Sequence, residues 1–139
     1  NLSSTQVVYV AIGATVEDAS NNAINAANAS FTTADVSAPT MTITSAEVSD
    51  GASSNDSTLA MTFTSSEATS NFVVGDISVN GGALSSFNGT STTVYTATFT
   101  PSGDGAKTID VAAGAFTDSS SNNNTLIPIS LHHTSTAHY

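Results

Sequence analysis

Apolar and polar residues alternate in short runs along most of the chain. In the run 59–63, Leu59, Met61 and Phe63 share one face and Ala60 and Thr62 the other. The same period recurs at Tyr95-Thr96-Ala97-Thr98-Phe99 and at Ile109-Asp110-Val111. It recurs again after Pro39, where Met41 and Ile43 alternate with Thr40, Thr42 and Thr44. A period of two belongs to a strand with one buried face. No segment carries apolar residues at helical spacing over three turns. Turn-forming residues punctuate the runs at Asp50-Gly51, Gly75-Asp76, Asn80-Gly81-Gly82, Asn88-Gly89 and Pro101-Ser102-Gly103-Asp104-Gly105. The pattern predicts strands over 40–45, 58–65, 70–74, 76–80, 83–88, 93–100, 106–112 and 125–133. Short strands with turns roughly every 8–12 residues are the signature of an all-β sandwich of about seven strands.

The chain also repeats itself. GATVEDASNN, from Gly13 to Asn22, aligns without a gap on GAFTDSSSNN, from Gly114 to Asn123, at an offset of 101 residues. The match extends back through Val10-Ala11 and Val111-Ala112. A period near one hundred residues is the size of a whole sandwich. Residues 5–11 and 24–32 then correspond to the last two strands of a preceding repeat. The expected layout is a partial repeat over 1–33, a linker over 34–39, a complete sandwich over 40–133 and a tail over 134–139. A two-stranded hairpin is marginal in water and exposes a face and two edges. Its missing strands come either from another subunit, by strand sharing, or from a covalent array of which 1–33 is a cut end.

Charge narrows the partners. The chain has 11 Asp and Glu residues against one basic residue, Lys107, for a formal net charge of −10. Nucleic acid is excluded as a ligand, because no positive surface exists to displace counterions from phosphates. An anionic membrane surface is excluded for the same reason, and no apolar run reaches the length of a membrane span. A hard cation such as Ca²⁺ suits carboxylates. There is no Cys, so this is not a disulfide-stapled secreted domain. Ser, Thr and Asn are abundant, and N-x-[ST] sequons occur at Asn1, Asn28, Asn55, Asn88 and Asn123; these are glycosylation candidates or the turn and strand chemistry of Asn, Ser and Thr.

FTSSEATSNFVVGDISVNGGALSSFNG, VYTATFTPSGDGAKTIDVAAGAFTDSSSNNN and the linker DVSAPTMTI resemble bacterial Ig-like repeats, the tandem modules of large secreted adhesins and biofilm-associated surface proteins. The resemblance covers 35–124, and again 7–39 for the partial repeat. It implies an immunoglobulin-like Greek-key β-sandwich on a bacterial cell surface or in a secreted matrix. The implied role is structural: a subunit of a surface fibre or filament assembling head to tail with identical subunits by strand sharing, or a spacer repeat in a covalent adhesin array. A glycan- or receptor-binding module is the third reading. The tail departs from the pattern, since Leu126-Ile127-Pro128-Ile129-Ser130-Leu131-His132-His133 is more apolar than its counterpart from Asn25 to Thr32, which suggests a terminal repeat or a strand adapted to pair with something else.

Topology assigns the acids their places. Glu67 in the B–C loop, Asp118 in the F–G loop and Asp35 in the entry linker belong to one end of such a sandwich. They are candidate ligands for an inter-domain Ca²⁺, and the resemblance implies calcium at such junctions. The alternative is that Asp118 caps its turn, Glu67 is solvated and Asp35 is linker polarity. Glu47, Asp50, Asp56 and Asp104 form a second acidic set at the opposite end, expected to be a solvated rim. His132 and His133 are adjacent on a strand and face opposite ways, so with His138 they make a poor transition-metal site. Phe63, Phe72, Phe87, Tyr95, Phe99 and Phe116 sit where the pattern wants core, and no Trp offers a sugar-stacking platform. No nucleophile has a nearby His outside the tail, and no Gly-rich loop opens a helix, so the chain is not expected to be an enzyme.

Overall fold

The computed structural model describes residues 5–133. Two compact units divide between Ser37 and Ala38. The first is an antiparallel hairpin of β1 (Val7–Ile12) and β2 (Ala27–Thr32), in register from Val7 opposite Thr32 to Ile12 opposite Ala27. Beyond the open end of the ladder, Gln6 N–H donates to Thr33 Oγ1 at 2.8 Å and Thr33 N–H to the Gln6 carbonyl at 2.8 Å.

The second unit is a sandwich of two four-stranded sheets. One sheet has the order β3 (Met41–Ser45), β5 (Leu59–Ser65), β8 (Val94–Pro101), β7 (Gly82–Gly89). The other has the order β4 (Ser53–Ser54), β10 (Ile127–His133), β9 (Gly105–Val111), β6 (Ile77–Asn80). All pairs are antiparallel except β4, which runs parallel to β10 at Ser53–His132 and Ser54–His133. This is the A-B-E-D and A′-G-F-C arrangement of an immunoglobulin-like sandwich. Pro39, expected in the linker, is fully buried, and its carbonyl accepts the Thr125 N–H at 3.1 Å. The sandwich therefore starts ahead of β3.

The core follows the alternation. Met41 and Ile43 on β3, Leu59, Met61 and Phe63 on β5, and Tyr95, Ala97 and Phe99 on β8 meet Ile109 and Val111 on β9 and Ile129 on β10. The predicted strand at 70–74 does not form. Phe72 leaves the ladder there and plugs the core, while Val73 and Val74 stay exposed and a short 3-10 turn runs over Val74–Asp76. The Asp76 carboxylate accepts the Val73 N–H at 2.8 Å and holds that turn. One strand, β6, does the work of the two predicted over 70–80. The sequence reading also missed β4, whose two residues carry no periodicity to detect.

Phe72 is the hub of an aromatic cluster. Its ring centroid lies 5.0 Å from Tyr95, 5.2 Å from Phe116, 5.8 Å from Phe87 and 6.1 Å from Phe63. Edge-to-face geometry of this kind adds to the area buried. The Tyr95 hydroxyl keeps its own polarity satisfied by donating to the Thr69 carbonyl at 3.1 Å, and burial raises its pKa above the ordinary tyrosine value. Phe72→Ala is expected to cost about 3–5 kcal/mol of unfolding free energy, read from the urea midpoint. A loss much below that range would show that the neighbouring rings collapse into the space.

Candidate functional site

Each element at one end of the sandwich is tied there by hydrogen bonds. Thr40 N–H donates to Ser66 Oγ at 2.9 Å, and Ser66 N–H returns to the Thr40 carbonyl at 2.8 Å, so the start of β3 is joined to the segment after β5 that carries Glu67. Asn71 reaches across to the β9–β10 loop: its Oδ1 accepts the Thr117 N–H at 3.1 Å and its Nδ2 donates to Thr117 Oγ1 at 3.3 Å. Asn124, buried, accepts the Phe116 N–H through Oδ1 at 2.9 Å and donates through Nδ2 to the Ala112 carbonyl at 2.8 Å. Among the described residues no buried side-chain nitrogen or oxygen lacks a hydrogen-bond partner, as burial requires.

Asp118 closes the loop. Its Oδ1 accepts the Ser120 and Asn122 N–H groups at 2.8 and 2.9 Å, and Oδ2 accepts Asn122 Nδ2 at 2.8 Å. The chain turns back through Ser121, at φ 69°. Glu67, half-buried, brings a carboxylate oxygen within 4.8 Å of one from Asp118. Two carboxylates this close repel each other, and a cation seated on both would replace that repulsion with attraction. Asp118 thus has a turn-capping role. Asp35 accepts the Ser37 N–H at 3.0 Å and precedes Pro39 by four residues.

The other sequence candidates divide between local roles and open surface. Glu47 turns back onto its own sheet, where Oε2 accepts the Ser45 hydroxyl and the Ala60 N–H, each at 2.9 Å. Asp56 accepts the Ser54 hydroxyl at 2.6 Å. Asp50 and Asp104 are exposed. Lys107 is buried, and its ammonium donates to the Ser102 and Asp104 carbonyls at 3.0 and 3.3 Å, capping the β8–β9 turn. Asn28, Asn55, Asn88 and Asn123 are all exposed. His132 and His133 are placed by their backbone pairing with β4; Asn1 and His138 lie outside the described residues.

The same clasp appears a second time. In the β1–β2 loop, Asp18 Oδ1 accepts the Ser20 and Asn22 N–H groups at 2.8 and 2.9 Å, and Oδ2 accepts Asn22 Nδ2 at 3.0 Å. Asn21 takes the positive φ, 61°, that Ser121 takes in the other loop. The structural equivalence is therefore Asp18 with Asp118 and Asn22 with Asn122, an offset of 100. This corrects the gapless offset of 101, which pairs Asp118 with Glu17. The β9–β10 loop has one more residue before its clasp, so Val16 matches Phe116 while Ile12 matches Val111. The Asp-x-x-x-Asn spacing at the same place in both copies of the repeat was the signal for this clasp in the sequence; the same spacing at Asp76 and Asn80 runs into β6 and forms none.

Two sheets of this order, cores at period two and loops closed by their own side chains define an immunoglobulin-like module. The family model described as Bacterial Ig-like domain matches residues 35–137, and the chain belongs to that family. Its domains are non-catalytic structural modules, typical of surface or extracellular proteins. No curated protein matches the chain. No helix among the described residues is long and apolar enough to cross a membrane.

The hydrogen bonds from Asn22 Nδ2, Asn22 N–H and Ser20 N–H, in that order of weight, lower the Asp18 pKa below the ordinary aspartate value. A depressed carboxylate pKa means that the clasp contributes fully above the unfolded-chain value and is lost as pH falls through the folded one. Carbon-detected NMR titration is expected to give Asp18 a midpoint below that of a free aspartate, and Asn22→Ala is expected to move it upward. An unchanged midpoint in that variant would remove the clasp as its cause.

Proposed function

We propose that the chain is a mechanical unit of an extracellular bacterial surface fibre or adhesin stalk, in which Ig-like sandwiches follow one another end to end. The observation that carries this reading is the duplicated hairpin. β1 and β2, with their loop, reproduce the β9–β10 clasp without a sandwich to complete them among the described residues. Recurrence of the same hairpin and clasp about one hundred residues along fits modules that follow one another, and a head-to-tail contact does not close on itself.

Two ways of joining fit this role: strand sharing between identical subunits, and covalent succession in a tandem array. The closed core supports the second. Ile109, Val111, Phe116 and Ile129 are each at most 2% exposed within the sandwich, so a hairpin from another copy would have to displace the resident one. Strand sharing requires a vacant receiver. The module is not an enzyme in this reading, and its sequons at Asn28, Asn55, Asn88 and Asn123 are exposed positions that a glycosylating host would reach.

Calcium belongs to the same proposal. Glu67 and Asp118 supply two carboxylates at the end where the chain enters the sandwich. Asp35 supplies the third, on a tether of four residues to Pro39 that spans at most about 14 Å. A cation there would stiffen the entry segment, which is where a stalk needs stiffness. Titrating Ca²⁺ to about a hundredfold excess over its Kd is expected to stabilise the chain by about 2.7 kcal/mol, read as a rise in Tm. Glu67→Gln is expected to abolish the rise and leave the calcium-free Tm nearly unchanged. A Tm indifferent to Ca²⁺, or a rise that survives Glu67→Gln, would sink the calcium site. Electron microscopy of native material with and without a chelator tests the stalk itself: beaded strands or filaments at a spacing of one sandwich are expected, and isolated particles would count against it.

A further inference from the structure

We propose that the hairpin face made by Val8, Val10, Ile12, Ala27, Ala29 and Phe31 is the docking surface for the other strands of a second Ig-like sandwich. We propose further that those strands are of a different sequence from residues 38–104 of this chain. The proposal rests on the stalk reading above and names the partner that its first hairpin requires.

The register puts these six side chains on one face, since Val8 lies opposite Phe31, Val10 opposite Ala29 and Ile12 opposite Ala27. All six are apolar. The equivalent pairs in the sandwich are Lys107 with Leu131, Ile109 with Ile129 and Val111 with Ile127. Ile109 and Val111 are wholly buried there and Ile129 nearly so, whereas Val10, Ile12 and Phe31 are about half exposed. Val16, the counterpart of the buried Phe116, is also half exposed. One copy of the hairpin is covered by β3, β5 and β8, so the chain itself shows what covers such a face. Each of β9 and β10 also has a strand on its outer side, a need that β1 and β2 share.

A second copy of this chain's own strands is a poor occupant, for three reasons of shape. Ala29 stands where the sandwich has Ile129, and Ala27 where it has Ile127. The hairpin has a hollow of about 170 Å³ there, lined by Val10, Ile12, Ala27, Asn28 and Ala29. Val16 stands where Phe116 packs its ring against Phe72. Val8 stands where Lys107 donates to two turn carbonyls. The β6–β7 turn is shaped around that lysine: Gly81 has φ +79°, and a Cβ on it would lie 2.5 Å from the Lys107 Cδ. The strands 38–104 would leave voids at Ala29 and Val16 and strand the carbonyls of Ser102 and Asp104. The fitting partner carries bulkier apolar side chains facing the hollow and Val16, and a β8–β9 turn that needs no cation.

Amide hydrogen exchange tests this on three chains: residues 1–139, the same chain with a copy of residues 38–104 placed directly before Gln6, and that extended chain carrying Val8→Lys, Val16→Phe and Ala29→Ile. In 1–139, the Val10, Ile12 and Ala29 amides are expected to exchange rapidly at every concentration. In the substituted extension they are expected to slow to the rates of Ile109, Val111 and Ile129. In the unsubstituted extension they are expected to stay faster by about tenfold or more. Equal protection in the two extended chains would overturn the claim of a different sequence. Slow exchange in 1–139 would overturn the claim of an outside partner if independent of concentration, and would assign a second copy if it rose with concentration. No protection in either extension would overturn the docking surface. None of these outcomes alters the microscopy or the calcium response, so the stalk reading fails or survives separately.

Discussion

Burial of the β9–β10 face against β3, β5 and β8 is the contact on which the sandwich depends. It joins the two sheets, seals the core around Phe72 and Phe116, and carries the loop that Asp118 closes. The chain performs its own comparison, because β1 and β2 form the same ladder and the same clasp with the face uncovered. Backbone pairing and side-chain capping are local and recur in both places. Burial is not local, and only one of the two hairpins has it.

That contrast separates two kinds of order. The Asp18 and Asp118 clasps each involve only five consecutive residues and one positive φ, so each is closed by local contacts alone. The core needs residues drawn from 41 to 129 at once. Lys107 shows how the two meet. As the only basic residue of the chain, it is spent on two backbone carbonyls of its own turn, and Gly81 gives way to its stem.

Much of the fold was legible. Seven of the predicted strands, at 40–45, 58–65, 76–80, 83–88, 93–100, 106–112 and 125–133, coincide with β3, β5, β6, β7, β8, β9 and β10 to within a few residues. β3, β5, β8 and β9 have one buried and one more open face, which is what writes alternation into a sequence. The strand expected at 70–74 failed because Asn71-Phe72-Val73-Val74 reads as β-prone, yet only Phe72 is buried. Its ring fills a hole that rings from four other segments leave, and no local pattern records that hole. The repeat offset of 101 failed for a related reason. Identity of Gly13 with Gly114 outweighed the Asp-x-x-x-Asn spacing, but hydrogen bonds follow the spacing.

The candidate site was legible in part. Glu67 and Asp118 were placed at one end from topology alone, and the structure brings their carboxylates together. The residues that hold that end in shape, Asn71, Thr117 and Asn124, were not singled out, because Asn and Thr are everywhere in this chain and carry no individual signal. By itself the sequence determined the strand class, the module size, the repeat and the sign of the charge, since each depends on composition or on spacing along the chain. Tertiary structure alone decided which hairpin is covered, where the core is plugged, how the repeats truly register and which acids meet. Those outcomes rest on shapes and distances between residues far apart in sequence, and a linear pattern does not contain them.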